Sequence, residues 1–207
     1  MPYDPDKHHR RSIRLKGYDY ALEGGYFITL VVQGRQCVLG KIDGDSEVSL
    51  SQPGGMIEYW LGRLVTRFDT LVIDTYVIMP NHFHGIFMLV DDDRPRQSTG
   101  QRQPGQTHKE TCFPSAPTAD VLDSPTHASP VRPTLSTILQ WFKSMTTNAY
   151  FKGVHDQDWP PVNKRLWQRN YYERIIHSDR EWELIRDYIQ RNPARWPSDP
   201  EHPAGAV

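Results

Sequence analysis

The chain has 207 residues and a formal net charge of −1, with 24 Lys and Arg against 25 Asp and Glu. Its length allows one domain with a core that needs no disulfides, and the two distant cysteines, Cys37 and Cys112, predict neither a disulfide framework nor a zinc knuckle. No apolar run approaches the roughly 20 residues of a membrane span, and the polar N-terminus has no signal-peptide core. We therefore expect a cytoplasmic protein without a membrane partner.

The first 90 residues predict five strands and one helix. β-Branched and aromatic residues between turn-forming residues indicate strands at 26–32, 37–42 and 47–50. Apolar residues then recur at helical spacing over 56–68, which predicts an amphipathic helix. Two largely apolar strands follow at 71–79 and 82–90, with the composition typical of the centre of a covered sheet.

The segment 91–133 differs in composition from the rest of the chain. Pro, Ser, Thr, Gln and Asp dominate it, and it shows no apolar period. Such a segment cannot bury enough surface to offset its ordering entropy, so we expect a disordered insertion. The domain is accordingly predicted to span 21–196 around this insertion, between a basic N-terminal arm at 1–20 and a Pro-rich tail at 197–207.

Helical spacing returns after the insertion. A helix is predicted over 134–151, and a strand over 165–176. Ser178 and Glu181 match a capping box, which predicts a last helix that runs to about residue 191 and ends before Pro193. Strands and helices do not alternate regularly, which favours an α+β fold with an antiparallel sheet.

The sequence around two histidines is the most informative part of the chain. His82 and His84 lie two residues apart in a predicted strand, so their side chains point to the same face while Phe83 points to the other. Two neutral imidazoles held this way form a compact pair of metal ligands. The alternative is that both side chains only hydrogen-bond within the fold.

The last predicted helix contains a tyrosine and an amide on one face. Tyr188 and Asn192 are four residues apart, so a phenol nucleophile would have an oxygen ligand one turn away. The alternative is that Tyr188 packs in the core, since it follows Ile185 at helical spacing.

Together these motifs resemble the REP-associated tyrosine transposases, within the wider single-tyrosine HUH transposase family. The resemblance covers about residues 14–196 except the insertion, and it is carried by the segments RLKGYDY, YFITLVV, MPNHFH, YYERIIHSDRE and YIQRNP. It implies a ferredoxin-like α+β sandwich, an antiparallel sheet with helices packed on it. It also implies that His82 and His84 form the HUH metal site with Asn192 as a further ligand, and that Tyr188, not Tyr171 or Tyr172, is the catalytic nucleophile.

The activity implied by the resemblance is metal-dependent cleavage and rejoining of single-stranded DNA through a 5′-phosphotyrosine, at palindromic repeats. The implied cofactor is Mg²⁺ or Mn²⁺, and the partner is single-stranded or hairpin DNA, bound by a monomer or homodimer that would lie on the bacterial nucleoid. Basic side chains are expected to contact phosphates: Arg10, Arg11, Arg14, Lys16, Arg169 and Arg174. The main alternatives are a DNA-binding protein of the same fold without cleavage activity and a hydrolase that uses metal-activated water.

Overall fold

The computed structural model describes residues 24–44, 46–90 and 132–203. The predicted N-terminal arm and nearly all of the predicted insertion lie outside these residues. The described elements are β1 (Gly24–Val31), β2 (Gly40–Ile42), β3 (Val48–Leu50), α1 (Gln52–Arg67), β4 (Leu71–Ile78), β5 (His82–Leu89), α2 (Leu135–Asp156), β6 (Tyr172–Ile176) and α3 (Asp179–Arg191). A 3₁₀ turn, Pro193–Ser198, follows α3. None of the helices in these ranges combines the length and the apolar content that crossing a membrane requires.

Four strands form one antiparallel sheet in the order β4-β5-β1-β6. With α1 between β1 and β4, and α2 between β5 and β6, this is the ferredoxin-like arrangement. The short strands β2 and β3 form a separate hairpin in the connection from β1 to α1. The predicted α+β fold, an antiparallel sheet with helices packed on it, is confirmed.

The two faces of the sheet carry different layers because neighbouring side chains on a strand point in opposite directions. On one face, Tyr26, Ile28 and Leu30 of β1 belong to the main core with buried residues of α1 and α2. On the other face, a smaller cluster contains Phe27 and Ile86 together with residues of α3. The histidines His82 and His84 have the same strand parity as Ile86, so they lie on the face that α3 covers.

Three predicted boundaries differ from the structure by more than three residues. Helix α1 begins at Gln52 because Ser51 is its N-cap and accepts a hydrogen bond from the amide of Gly54. Helix α2 continues to Asp156, five residues beyond the predicted end. The predicted strand at 165–176 is a strand only over Tyr172–Ile176; before it, the chain contacts β1 through an isolated bridge between Trp167 and Val32.

Helix α3 is attached to the sheet by one carboxylate. Asp74 lies where the β4–β5 register shifts, and it accepts hydrogen bonds from Arg186 Nη2 at 2.7 Å and Nε at 3.1 Å. The indole Nε1 of Trp182 donates to the same carboxylate at 3.1 Å. These charge-assisted bonds, Arg186 first, hold the pKa of Asp74 below its usual value. The side chain of Trp182 is thereby held against β1 at Gly25.

Gly25→Ala tests this attachment. A Cβ at Gly25 would overlap Cζ3 of Trp182 and lie 2.8 Å from its Cη2, and the indole cannot retreat without losing its bond to Asp74. We expect a loss of about 1–3 kcal/mol in the free energy of unfolding, measured by urea denaturation.

Gly62→Ala is the matched control. Gly62 lies inside α1, and a Cβ added there would meet nothing within 4 Å. The same Gly-to-Ala change should here raise stability by roughly 0.5–1 kcal/mol, because alanine loses less entropy in a helix. Equal effects of the two substitutions would contradict the close packing of Trp182 on Gly25.

Candidate metal and tyrosine site

Strand β5 brings the two histidines side by side in the interior. His82 is fully buried and His84 is 5% exposed, and their ring centroids are 4.5 Å apart. The ring of Phe27 stacks on His84 with centroids 5.3 Å apart, which limits movement of that imidazole. The structure therefore places the two predicted ligands on one face, as strand alternation requires.

A carboxylate completes the cluster. Asp199 follows the 3₁₀ turn after α3, is 5% exposed, and has Oδ2 3.9 Å from Nε2 of His82. One ligand atom from each of His82, His84 and Asp199 lies within 4.8 Å of the others. Sequence reasoning missed Asp199 because it lies in the segment assigned to the Pro-rich tail, and no local spacing relates it to β5.

The side-chain amide of Asn81 determines which nitrogen of His82 is free. Nδ2 of Asn81 donates to the carbonyl oxygens of Arg35 at 3.0 Å and Glu201 at 2.7 Å, so its Oδ1 must face His82. Nδ1 of His82 then donates to that oxygen at 2.9 Å. The opposite nitrogen, Nε2, is left with an unprotonated lone pair, and it has no hydrogen-bond partner among the described residues. This arrangement is typical of metal-ligating histidines.

The environment keeps both imidazoles neutral. Burial lowers the pKa of His82, although the nearby carboxylates of Asp199 and Glu201 oppose this shift. Burial lowers the pKa of His84 further, and the neighbouring His82 adds to the effect. Neutral imidazole is the form that binds metals, so both side chains are in the ligating state at neutral pH.

Helix α3 places the predicted nucleophile against this cluster. The hydroxyl of Tyr188 lies 3.4 Å from Nε2 of His84, and its ring meets Phe27 edge-on with centroids 6.0 Å apart. The other nitrogen of His84, Nδ1, is 2.8 Å from Oγ1 of Thr29. Burial, and then the charge of Asp199, raise the pKa of Tyr188, so the phenol is protonated at neutral pH.

Asn192 lies beside the carboxylate. It is 1% exposed, and its Nδ2 donates to Oδ2 of Asp199 at 3.1 Å. Its Oδ1 is buried without a partner among the described residues. Two atoms with free lone pairs that could ligate a metal, Nε2 of His82 and Oδ1 of Asn192, therefore lie beside a buried carboxylate. This donor set fits a divalent cation, since unpaired buried polar atoms are costly unless a ligand satisfies them.

The other predicted residues are distributed differently. Arg174 pairs with Glu181 at the start of α3, and Arg169 lines a groove beside α2. Trp167, which precedes Arg169 in the same segment, is 2% exposed and belongs to the core. Trp196 packs against His82 with centroids 6.0 Å apart. The four remaining predicted DNA contacts lie outside the described residues: Arg10, Arg11, Arg14 and Lys16.

Metal binding tests the cluster. We expect titration calorimetry with Mn²⁺ to show one site, and His82→Ala or Asp199→Ala to weaken it by at least about 10–100-fold, the loss typical even of outer-shell partners. Because both histidine pKa values lie below the usual value, affinity should persist as pH falls to about 6.5 and decline only below it.

His155→Ala is the control for that titration. His155 is an exposed histidine at the end of α2 with a neighbouring carboxylate, Asp156, at 2.7 Å. Its removal should leave Mn²⁺ affinity unchanged. Unchanged affinity in both His82→Ala and Asp199→Ala would show that the buried cluster is not the metal site.

Comparisons with known proteins place this geometry in context. No family model matches the chain. The structure of a REP-associated tyrosine transposase bound to a REP hairpin shares 17% sequence identity and covers 91% of this chain and 73% of its own, with a TM-score of 0.50. A Deinococcus radiodurans protein provisionally named a transposase shares 12% identity over 87% of this chain and 97% of its own, at a TM-score of 0.40. The first likeness shows a shared fold.

Sequence comparison finds a closer relationship. An uncharacterized protein of Haemophilus influenzae is 32% identical over 197 residues, which cover 95% of each chain. Identity of this level over nearly the whole length requires common descent and one fold. The chain therefore belongs to the same family as this Haemophilus influenzae protein.

Proposed function

We propose that the chain is a metal-dependent enzyme that cleaves and rejoins single-stranded DNA, with Tyr188 as the nucleophile. His82, His84 and Asp199 would hold the metal, with Asn192 as an additional oxygen ligand. The observation that carries this proposal is the contact between Tyr188 and His84, with 3.4 Å between Oη and Nε2. A phenol directly beside a buried ligand cluster fits a nucleophile better than a core residue, because a purely apolar core would not bury four polar side chains next to it.

The donor set favours particular cations. Two imidazoles and a carboxylate form a mixed nitrogen and oxygen site. Mg²⁺ strongly prefers oxygen ligands, whereas Mn²⁺ accepts both, so the set favours Mn²⁺ over Mg²⁺ while allowing either. When bound, the cation supplies Lewis-acid stabilisation of the charge that develops on the scissile phosphate.

The covalent step balances without a co-reactant. Oη of Tyr188 forms a bond to phosphorus and the P–O3′ bond breaks, which leaves a 5′-phosphotyrosine and a free 3′-hydroxyl. The phenolic proton is transferred, in net terms, to the departing 3′ oxygen. Attack by another 3′-hydroxyl reverses the step and rejoins DNA, since the link retains the phosphodiester energy.

The surroundings of Tyr188 are suited to this role. Its ring is held between Phe27 and His84, so the hydroxyl keeps its direction while DNA binds. Burial and the carboxylate of Asp199 raise its pKa, so the phenol is protonated at neutral pH before DNA binds. The fold shared with a transposase bound to a REP hairpin supports palindromic DNA with an unpaired flank as the substrate.

Formation of a covalent protein–DNA species tests the proposal. The wild-type protein, Mn²⁺ and labelled single-stranded DNA carrying the palindromes that flank its own gene should give a labelled, protease-sensitive band on a denaturing gel. We expect Tyr188→Phe to abolish the band, because the ring remains and only the attacking oxygen is lost. His82→Ala should reduce it by at least about 100-fold, on the scale of losing an electrostatic stabiliser of the transition state.

Tyr172→Phe is the matched control, because Tyr172 is an exposed tyrosine that also contacts Phe27. It should leave the band intact. A band that survives Tyr188→Phe would assign the nucleophile elsewhere. DNA hydrolysis without any band would indicate metal-activated water, and DNA binding without cleavage would indicate a binding protein of this fold.

A further inference from the structure

A groove on the opposite side of the sheet from Tyr188 is lined by α2 and by residues 165–171. We propose that this groove binds the sugar–phosphate backbone of a nucleic acid, as a second contact surface separate from the tyrosine site. That the polymer is DNA rests on the proposed function, whereas the anion-binding character of the groove does not.

Charge is the first observation behind this proposal. The lining contains three cationic side chains, Lys143, Arg165 and Arg169, and no carboxylate. The chain as a whole has 24 basic and 25 acidic residues, so such a one-signed surface is a local feature. A concave surface lined by charges of one sign focuses the electrostatic field and attracts ligands of the opposite charge.

Lys143 also shapes the wall of the groove. Its Nζ donates to the carbonyl oxygens of Gln168 at 2.7 Å and Arg169 at 3.0 Å, and so fixes the segment that carries both arginines. The lysine lies over the ring of Tyr171 at 5.8 Å. Burial lowers its pKa to about 8, so it is mostly charged at neutral pH. Arg165 and Arg169 are exposed, and the described residues offer them no ion-pair partner.

The shape of the groove fits a polymer better than a small anion. Its volume is about 680 Å³, and it follows a polar stripe of α2 from Ser136 to Asn148. The twelve residue steps between them extend about 18 Å, which matches roughly five base-pair steps along the axis of a duplex at about 3.4 Å each. The stripe consists of side chains of the types that contact phosphates and sugars: Ser136, Gln140, Ser144, Thr147 and Asn148.

Position separates the groove from the covalent chemistry. Helix α2 packs on the face of the sheet that carries Tyr26 and Ile28, whereas Tyr188 packs on the face that carries Phe27. The segment 165–171 leads directly into β6, the edge strand next to β1. A nucleic acid that reaches both surfaces must pass around this edge, so the groove would hold a flanking part of the substrate and not the scissile phosphate.

Salt-dependent DNA binding tests the groove. Fluorescence anisotropy would use full-length protein with Tyr188→Phe, so that no probe is cleaved, and two labelled probes, a hairpin and an unstructured single strand. Adding Arg165→Ala and Arg169→Ala should raise Kd at least about 10-fold. If two phosphate contacts are lost, the slope of log K against log salt should shrink by about 1.8 for duplex or about 1.4 for a single strand. The probe with the larger effect identifies which form occupies the groove.

Arg63→Ala with Lys152→Ala is the control, because both are exposed cations outside the lining. This pair should change Kd and slope by much less. Unchanged binding of both probes in the Arg165→Ala and Arg169→Ala variant overturns the inference. Displacement of the probes by inorganic phosphate at constant ionic strength also overturns it, because that would indicate a small-anion site.

The covalent assay separates this inference from the proposed function. If wild-type protein forms no phosphotyrosine but the two arginine substitutions weaken DNA binding, the groove stands and the cleavage proposal fails. If the phosphotyrosine forms and the substitutions have no effect on binding, the groove fails and the cleavage proposal stands.

Discussion

The geometry of the site depends on the hydrogen bonds of one buried amide. Asn81 is fully buried, donates to the carbonyls of Arg35 and Glu201, and accepts from His82. Arg35 lies in the loop after β1, Glu201 in the last described turn of the chain, and His82 in β5. Because Asp199 lies two residues before Glu201, the same amide that sets the tautomer of His82 also brings a carboxylate to it. An apolar residue at this position would leave two carbonyls and one imidazole without partners.

Helix α3 is positioned by a second polar contact on the same face. Asp74 accepts hydrogen bonds from Arg186 and Trp182, and these bonds fix the helix over β4 and β5. The apolar side of the helix is buried through Ile185 and Ile189. The cluster beneath α3 is small compared with the core under α1 and α2. The apolar cluster contributes burial, and the hydrogen bonds to Asp74 add directed contacts that define where the helix lies. Directed bonds define an angle and a register, which is what brings a tyrosine oxygen to within hydrogen-bond range of His84.

The near-neutral net charge conceals two different surfaces. Around Tyr188 the nearby charges are the carboxylates of Asp199 and Glu201, which suit a cation, and the more weakly acting guanidinium of Arg195. Beside α2 the charges are Lys143, Arg165 and Arg169, which suit an anion. The sheet separates the two, so each field acts locally. The proposed metal and the proposed phosphate backbone would therefore bind to separate surfaces, which the near-neutral composition alone does not reveal.

Local sequence determined the elements, the α+β class and the two histidines, because strand alternation, helical spacing and capping residues act over a few positions. It also predicted Tyr188 and Asn192 on one helix face, which the structure shows as neighbours of the cluster. Local sequence could not identify Asp199, since its approach to His82 depends on a loop carbonyl bound by Asn81 more than a hundred residues earlier in the chain. Nor could it show that Trp167 is buried in the core while Arg169, two residues later, is exposed in the groove, because the packing of α2 on this segment decides the burial of each. Periodicity specifies which side chains share a face, whereas contacts between distant segments decide which faces meet, and that is a property of the tertiary structure alone.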